Sequence, residues 1–136
     1  MAFVLDSSVA LAWLLPDEGS QSTDALADRL EREPAVVPAI WPLEVGNALL
    51  MAQRRGRLTE KEVDRLLSVI AELPVEIEPG ALDERLGAIM SLARKLELTS
   101  YDAAYLELAK RRMIPLATVD LRLRKASART AIDVLP

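Results

Sequence analysis

Short apolar runs alternate with longer segments of helical periodicity, and this alternation limits the possible folds more than any other feature of the chain. The predicted strands are 2–5, 36–37, 75–77, 114–119 and 132–135. Parallel strands need a crossover connection, usually a helix, so strands that alternate with helices are typical of a parallel sheet covered on both faces. The sequence therefore predicts an α/β fold: a three-layer α/β/α sandwich with a central, mainly parallel sheet.

Capping signals define the predicted helices. Ser7 is the expected N-cap of a helix that ends near Leu15, and Thr59 opens a later helix as part of a capping box with Glu62. The other predicted helices are 20–33, 42–55, 80–98, a segment capped by Thr99 or Ser100 and running to 112, and 121–127. The strand at 75–77 contains Glu76 and is followed by Glu78, which indicates an edge position.

The amino-acid inventory excludes several catalytic classes. The chain contains no histidine and no cysteine. Catalysis by a serine–histidine or cysteine–histidine pair is therefore impossible, and so is a metal site built on thiolate or imidazole. The available metal ligands are oxygen atoms, which suit Mg²⁺ or Mn²⁺ better than zinc or copper.

The length and hydropathy of the chain indicate a globular protein. The chain has 136 residues, of which 51% are hydrophobic, so we expect a single domain over residues 1–136. No apolar stretch approaches the roughly 20 residues of a membrane span, and no basic region precedes the first apolar run. We therefore expect a cytoplasmic protein with no membrane partner.

Four acidic residues stand where the apolar runs stop or where helices begin. Asp6 and Asp120 directly follow predicted strands, and Glu44 and Asp102 fall in the first turns of predicted helices. Sites in open α/β sheets lie at the carboxyl ends of the strands, so these four side chains can converge on one crevice. Clustered carboxylates repel one another unless a cation lies between them. The pattern predicts a divalent metal site.

Each of these acids also has a purely structural interpretation. Asp120 is a possible N-cap, and Asp102 lies three residues after Thr99, as in a capping box. Glu44 gains from the helix dipole, and Asp6 can begin a turn. Only the coincidence of all four at one end of the sheet favours a functional site.

The motifs along the chain resemble those of the PIN-domain ribonucleases, and within them the small VapC-type toxins of toxin–antitoxin pairs. The segments that carry the resemblance are Val-Leu-Asp-Ser-Ser at 4–8, Glu-Val-Gly-Asn-Ala-Leu at 44–49, Arg-Gly-Arg-Leu-Thr at 55–59, Leu-Thr-Ser-Tyr-Asp-Ala-Ala-Tyr-Leu at 98–106 and Leu-Ala-Thr-Val-Asp at 116–120. The resemblance implies that Asp6, Glu44, Asp102 and Asp120 are catalytic, metal-binding acids. It also implies that Ser7 and Thr118 support them by hydrogen bonding. Asn47, one helical turn after Glu44, either faces the same crevice or packs on the helix face.

The resemblance implies an activity and its partners as well. It implies an Mg²⁺-dependent endoribonuclease toxin in which a metal-activated water cleaves RNA to leave 5′-phosphate and 3′-hydroxyl ends, a cognate antitoxin protein and a homodimer. Between Lys110 and Arg129 the chain has seven basic residues and one acid. We expect Arg122, Arg124 and Lys125 to contact the RNA backbone, although a solvated helix face would give the same pattern.

Two other classes of protein place acids at strand ends. A signalling receiver domain normally pairs acids after the first strand and uses a late lysine, and a dehalogenase-like phosphatase needs a second aspartate where this chain has Ser8. A non-catalytic module that only binds an antitoxin is the remaining alternative. The four intact acids favour the enzyme.

Overall fold

The computed structural model describes residues 1–136 and contains a sheet of five parallel strands. In chain order the strands are β1 (Phe3–Leu5), β2 (Ala35–Val37), β3 (Val75–Ile77), β4 (Leu116–Ala117) and β5 (Val134–Leu135). Their order across the sheet is β3-β2-β1-β4-β5, and all four neighbouring pairs are parallel. The predicted α/β class with a parallel sheet is confirmed.

Seven helices connect or flank these strands. They are α1 (Ser7–Leu14), α2 (Gln21–Leu30), α3 (Trp41–Arg54), α4 (Glu60–Glu72), α5 (Leu82–Leu96), α6 (Ser100–Arg112) and α7 (Leu121–Ser127). The longest has 15 residues, and none is long and apolar enough to cross a membrane.

The helices cover both faces of the sheet. Phe3, Val4 and Leu5 of β1 are all fully buried, although successive residues of a strand point to opposite faces. Helix α1 packs on α2 and α3, and α3 packs on α4, whereas α5 packs on α6, and α6 packs on β1 and β4. Because helices cover both faces of the sheet, the central strand is fully buried, and the predicted α/β/α layers are confirmed.

Several element boundaries differ from the prediction. The fifth helix ends at Leu96 because Glu97 takes a left-handed conformation with φ 57°, which turns the chain into α6. The predicted strand 114–119 is reduced to Leu116–Ala117, since the next side chain, Thr118, turns to the end of β1. The N-cap of α1 is Asp6 rather than Ser7, and Ser7 is the first helical residue.

The edge strand β3 is held by ion pairs that the charge pattern did not reveal. The Arg111 guanidinium lies 3.0 Å from Glu78 and 2.9 Å from Glu107, and that of Arg112 lies 2.8 Å from Glu78. The edge position of β3 is confirmed. Two of the seven basic residues between Lys110 and Arg129 therefore serve to dock α6 on this edge, and their charge is neutralised within the protein.

The Arg124 side chain joins the ends of two strands. Its Nη1 donates hydrogen bonds to the backbone carbonyl of Thr118 at 2.8 Å and to that of Leu135 at 3.1 Å. The guanidinium satisfies the carbonyl of Thr118, just beyond β4, and that of Leu135, at the end of β5. The predicted contact of Arg124 with RNA stays a prediction. The role that the structure gives Arg124 is to hold this edge of the sheet together.

Replacing Arg124 with alanine is expected to lower the free energy of unfolding by about 2 kcal/mol, because two carbonyls lose a charged donor. Arg122→Ala is the matched control, since Arg122 is exposed and makes no ion pair, and should change stability by less than about 0.5 kcal/mol. Urea unfolding of both variants measures the difference. Equal stabilities would contradict the structural role of Arg124.

Candidate active site

The four predicted acids occupy the carboxyl edge of the sheet. Asp6 and Asp120 lie just beyond β1 and β4, and Glu44 lies in the first turn of α3, which follows β2. Asp102 reaches the same edge from the first turn of α6, which packs on β1 and β4. Strands β2, β1 and β4 are neighbours in the sheet, so the acids form a row across its centre.

The acids are close enough to influence one another's ionisation. Burial raises the pKa of Asp6 above its ordinary value, and the negative charge of Asp120 raises it further. Burial likewise raises the pKa of Glu44, with contributions from the charges of Asp6 and Asp102. The pKa of Asp102 is raised by its burial and by the charges of Asp6 and Asp120. The negative charges of Asp6, Asp102 and Asp120 thus each raise the pKa of at least one other acid of the row.

Asp6 is fixed by two hydroxyl groups. Only 3% of Asp6 is exposed, and its Oδ2 accepts hydrogen bonds from Ser8 Oγ at 2.5 Å and Thr118 Oγ1 at 2.8 Å. These hydroxyls in turn accept the amide protons of Val119 and Asp120. The network ties the end of β1 to the end of β4 and leaves Oδ1 of Asp6 without a side-chain donor.

Glu44 is fixed by a buried phenol. The Tyr105 hydroxyl donates a hydrogen bond to Glu44 Oε1, and Tyr105 is completely buried. Its burial and the neighbouring Glu44 carboxylate raise the pKa of Tyr105, so the phenol stays protonated as a donor. Ser7 lies beside the same pair, and its hydroxyl lowers the pKa of Glu44. The serine that bonds Asp6 is Ser8, and the support predicted for Ser7 stays a prediction.

Asp102 and Asp120 also have the structural roles that their positions suggested. The Asp120 side chain accepts the amide proton of Leu123 at 2.9 Å and caps α7. The amide of Asp102 donates to the hydroxyl of Thr99, the N-cap of α6. A cap uses one carboxylate oxygen of Asp120, so the capping role and a role in binding a cation are compatible.

No cationic side chain forms an ion pair with any of the four acids. All the salt bridges of the protein involve other carboxylates. The four side chains do not, by themselves, form a cluster of three or more metal ligands. The four acids offer only oxygen atoms, which are the ligands that Mg²⁺ and Ca²⁺ prefer, and no basic side chain neutralises their charge.

Sequence reasoning missed Ser8 and Tyr105 as site residues. Ser8 stands two residues after Asp6, which is a common spacing for a hydroxyl that bonds an aspartate. Tyr105 stands one helical turn after Asp102, on the face of α6 that packs inward. The spacing from Asp102 to Tyr105 can be read in the sequence, but the partner of Tyr105, Glu44, lies 61 residues away along the chain.

A shallow depression opens beside Glu44. Asn47 is exposed and shares the wall of this depression with Glu44 and Tyr101, so Asn47 does not pack into the protein. The remaining lining residues are Ile40 and Leu43. Trp41 is buried in the core, and Trp13 donates a 2.6 Å hydrogen bond from its indole to the carbonyl of Thr23.

A basic groove is formed by the end of α5 and by α7, the helix that Asp120 caps. It is lined by Arg122, Lys125 and Arg129 together with Glu97 at the end of α5. None of the three basic residues is in an ion pair. Arg122 is near enough to the acids to lower the pKa of Asp102. The groove therefore has basic side chains that form no ion pair within the protein, and one of them acts electrostatically on the acidic row.

Comparison with known proteins agrees with this geometry. The PIN domain family model matches residues 3–128. Ribonuclease VapC3 of Pyrobaculum aerophilum is 31% identical over 123 residues, which cover 90% of this chain and 92% of that protein. Ribonuclease VapC9 of Mycobacterium tuberculosis is 34% identical over 135 residues and 98% of each chain.

A solved structure of low sequence identity has the same fold. FitAcB from Neisseria gonorrhoeae superposes with a TM-score of 0.68 at 18% identity, over 98% of this chain and 96% of that chain. The family model spans both strands whose ends carry Asp6 and Asp120, and the relatives match across nearly the full length. The chain therefore belongs to the PIN-domain family and, within it, to the VapC ribonucleases.

Proposed function

We propose that this protein is a divalent-cation-dependent endoribonuclease and the toxin of a toxin–antitoxin pair. The observation that carries the proposal is the row of four carboxylates at the carboxyl edge of the sheet, none of which is in an ion pair. Its membership of the VapC ribonucleases supports RNA as the substrate. A module that only bound an antitoxin would gain nothing from keeping this uncompensated charge at the carboxyl edge of its sheet.

The acids Asp6, Glu44, Asp102 and Asp120 would hold the cation, which we propose to be Mg²⁺ with Mn²⁺ as a substitute. When bound, such an ion would lower the pKa of a water molecule and neutralise charge on the phosphoryl oxygens. The chain's own contribution is orientation. Ser8 and Thr118 fix Asp6, Tyr105 and Ser7 fix Glu44, and the caps of α6 and α7 fix Asp102 and Asp120.

The basic groove is proposed to hold the RNA backbone. Arg122 and Lys125 are exposed and free of ion pairs, and Arg129 lines the same groove. Free guanidinium and ammonium groups attract phosphates without regard to sequence. Arg124 is omitted from this set because its guanidinium bonds backbone carbonyls.

We further propose an antitoxin partner and a homodimer, as implied by the VapC family. Exposed apolar side chains of α3 and α4, namely Leu50, Leu67 and Val69, provide apolar surface for such contacts.

We expect Mg²⁺-dependent RNA cleavage to fall by roughly 100-fold or more when any one of the four acids is neutralised, because each substitution removes a negative charge from the proposed cation site. The variants are Asp6→Asn, Glu44→Gln, Asp102→Asn and Asp120→Asn. The fold should persist, since an amide keeps the size of the side chain. Removal of metal with EDTA should stop the wild-type enzyme, and added Mg²⁺ or Mn²⁺ should restore it.

The control for these substitutions is Asp64→Asn on α4, where the aspartate is exposed and in no ion pair. Circular dichroism checks the fold of every variant. Full activity in any of the four site variants would remove that acid from the site, and unfolded variants would favour the structural interpretation.

Replacing both Arg122 and Lys125 with alanine should weaken RNA binding and flatten its salt dependence by about 0.7 of a slope unit for each lost phosphate contact. The double variant Lys61→Ala/Arg65→Ala removes the same charge from exposed positions of α4 and should leave the slope unchanged. Fluorescence anisotropy with metal-free protein measures both. Equal slopes for the two double variants would make the groove an ordinary solvated surface.

The products should carry 5′-phosphate and 3′-hydroxyl ends. With no histidine, the site has no imidazole to activate the 2′-hydroxyl of the RNA. Attack by water forms a new oxygen–phosphorus bond while the bond to the 3′-oxygen breaks and that oxygen gains a proton. A 2′-deoxy substitution at the cleaved nucleotide should therefore be tolerated, and end-labelling would reveal a cyclic phosphate if the mechanism were different.

A further inference from the structure

The depression beside Glu44 has an unusual composition for a protein surface. Four of its residues lie on one face at the start of α3, because they occupy positions i, i+3, i+4 and i+7 from the N-cap onward: Ile40, Leu43, Glu44 and Asn47. Tyr101, the second residue of α6, closes the opposite wall. An apolar floor, an aromatic ring and one amide thus surround a carboxylate of the acidic row.

Tyr101 is the one exposed aromatic side chain of the protein. Of the five aromatic residues, Phe3, Trp41 and Tyr105 are buried and Trp13 is half-buried, whereas Tyr101 is 58% exposed. A tyrosine that served only for packing would bury its ring, as the other tyrosine does. This ring is instead presented to solvent directly beside the acid Asp102.

The neighbouring groups extend this surface. Leu43 precedes Glu44 and is 72% exposed, which places an apolar side chain next to the ring where a soluble protein usually has a polar one. The Asn47 amide has no hydrogen-bond partner within the protein and offers one acceptor and two donor hydrogens. A flat ligand with an apolar face and a polar edge matches these three groups.

We propose that this depression binds a nucleobase of the substrate RNA next to the cleaved phosphate, with Tyr101 stacking on the base and Asn47 hydrogen-bonding its edge. The inference rests on the proposed ribonuclease function and adds a specificity-determining subsite to it. Unstacked bases of single-stranded RNA are recognised through aromatic stacking and through their polar edges. Because Glu44 forms part of the wall, a base held here keeps its phosphate beside the acids.

The subsite and the basic groove are formed by different elements of the fold. The depression is formed by the starts of α3 and α6, and the groove by α7 and the end of α5. An RNA strand that contacts both would stack one base on Tyr101 and would place other backbone phosphates against the basic side chains of the groove. This arrangement would make sequence preference strongest on the Tyr101 side of the cleaved bond.

A double-mutant cycle tests the base contact. The substrate is a short single-stranded RNA containing a site that the wild-type enzyme cleaves, and binding is measured by anisotropy in EDTA. Tyr101→Ala should weaken binding about 10-fold, as expected for the loss of one stacked base, whereas Tyr101→Phe should bind like the wild type. Leu86→Ala on α5, which also removes an exposed apolar side chain, is the matched control and should have no effect.

The RNA side of the cycle uses abasic substitutions, one nucleotide at a time, around the cleaved bond. At one position, removal of the base should weaken binding to the wild-type protein about 10-fold. The Tyr101→Ala variant should bind this abasic RNA as well as it binds the intact RNA, because it has already lost the stacking contact. Asn47→Ala should keep the affinity within a few-fold but broaden the base preference at that position.

Three outcomes would overturn the subsite: additive losses at every position, wild-type binding by Tyr101→Ala, or a Tyr101→Ala variant that loses only the binding of a protein partner. The last would assign the surface to that partner. Failure of the ribonuclease function is distinguished from all of these, because it would appear as absence of Mg²⁺-dependent cleavage by the wild-type enzyme itself.

Discussion

The pair of hydrogen bonds to Asp6 Oδ2 is the interaction on which the rest of the site depends. A carboxylate at the end of the central strand is costly to bury, and Ser8 and Thr118 offset part of that cost. The same two hydroxyls accept the amides of Val119 and Asp120, so the position of one acid is transmitted to the next. Strands β1 and β4 are short, and this network extends their alignment beyond the last strand residues.

The sequence was sufficient to predict the sheet and the position of the acids. Apolar runs that end in Asp6 and Asp120 identify strands and the edge at which their side chains meet, because that geometry depends only on local pattern and on parallel topology. Tyr105 and Arg124 could not be assigned in the same way. Their partners, Glu44 and the carbonyl of Leu135, are chosen by packing between distant segments, which local periodicity does not encode.

The basic segment illustrates how composition and contact separate. Counted as charge, the residues from Lys110 to Arg129 form one strongly positive stretch. In the structure Arg111 and Arg112 neutralise acids of the edge strand and Arg124 bonds carbonyls. The other four form no ion pair, and three of them, Arg122, Lys125 and Arg129, line the basic groove. A run of basic residues therefore indicates an anionic ligand only through those residues that have no partner within the protein.

The hydrogen bonds of the acids also bear on which cation the site would select. Asp6, Glu44 and Asp120 each commit one carboxylate oxygen to a donor of the protein. The other oxygen of each carboxylate makes no side-chain hydrogen bond and would be available to an ion. Ca²⁺, which takes about six to eight oxygens and often uses bidentate carboxylates, would be poorly enclosed, whereas a smaller octahedral ion would keep coordination positions for solvent and for the substrate.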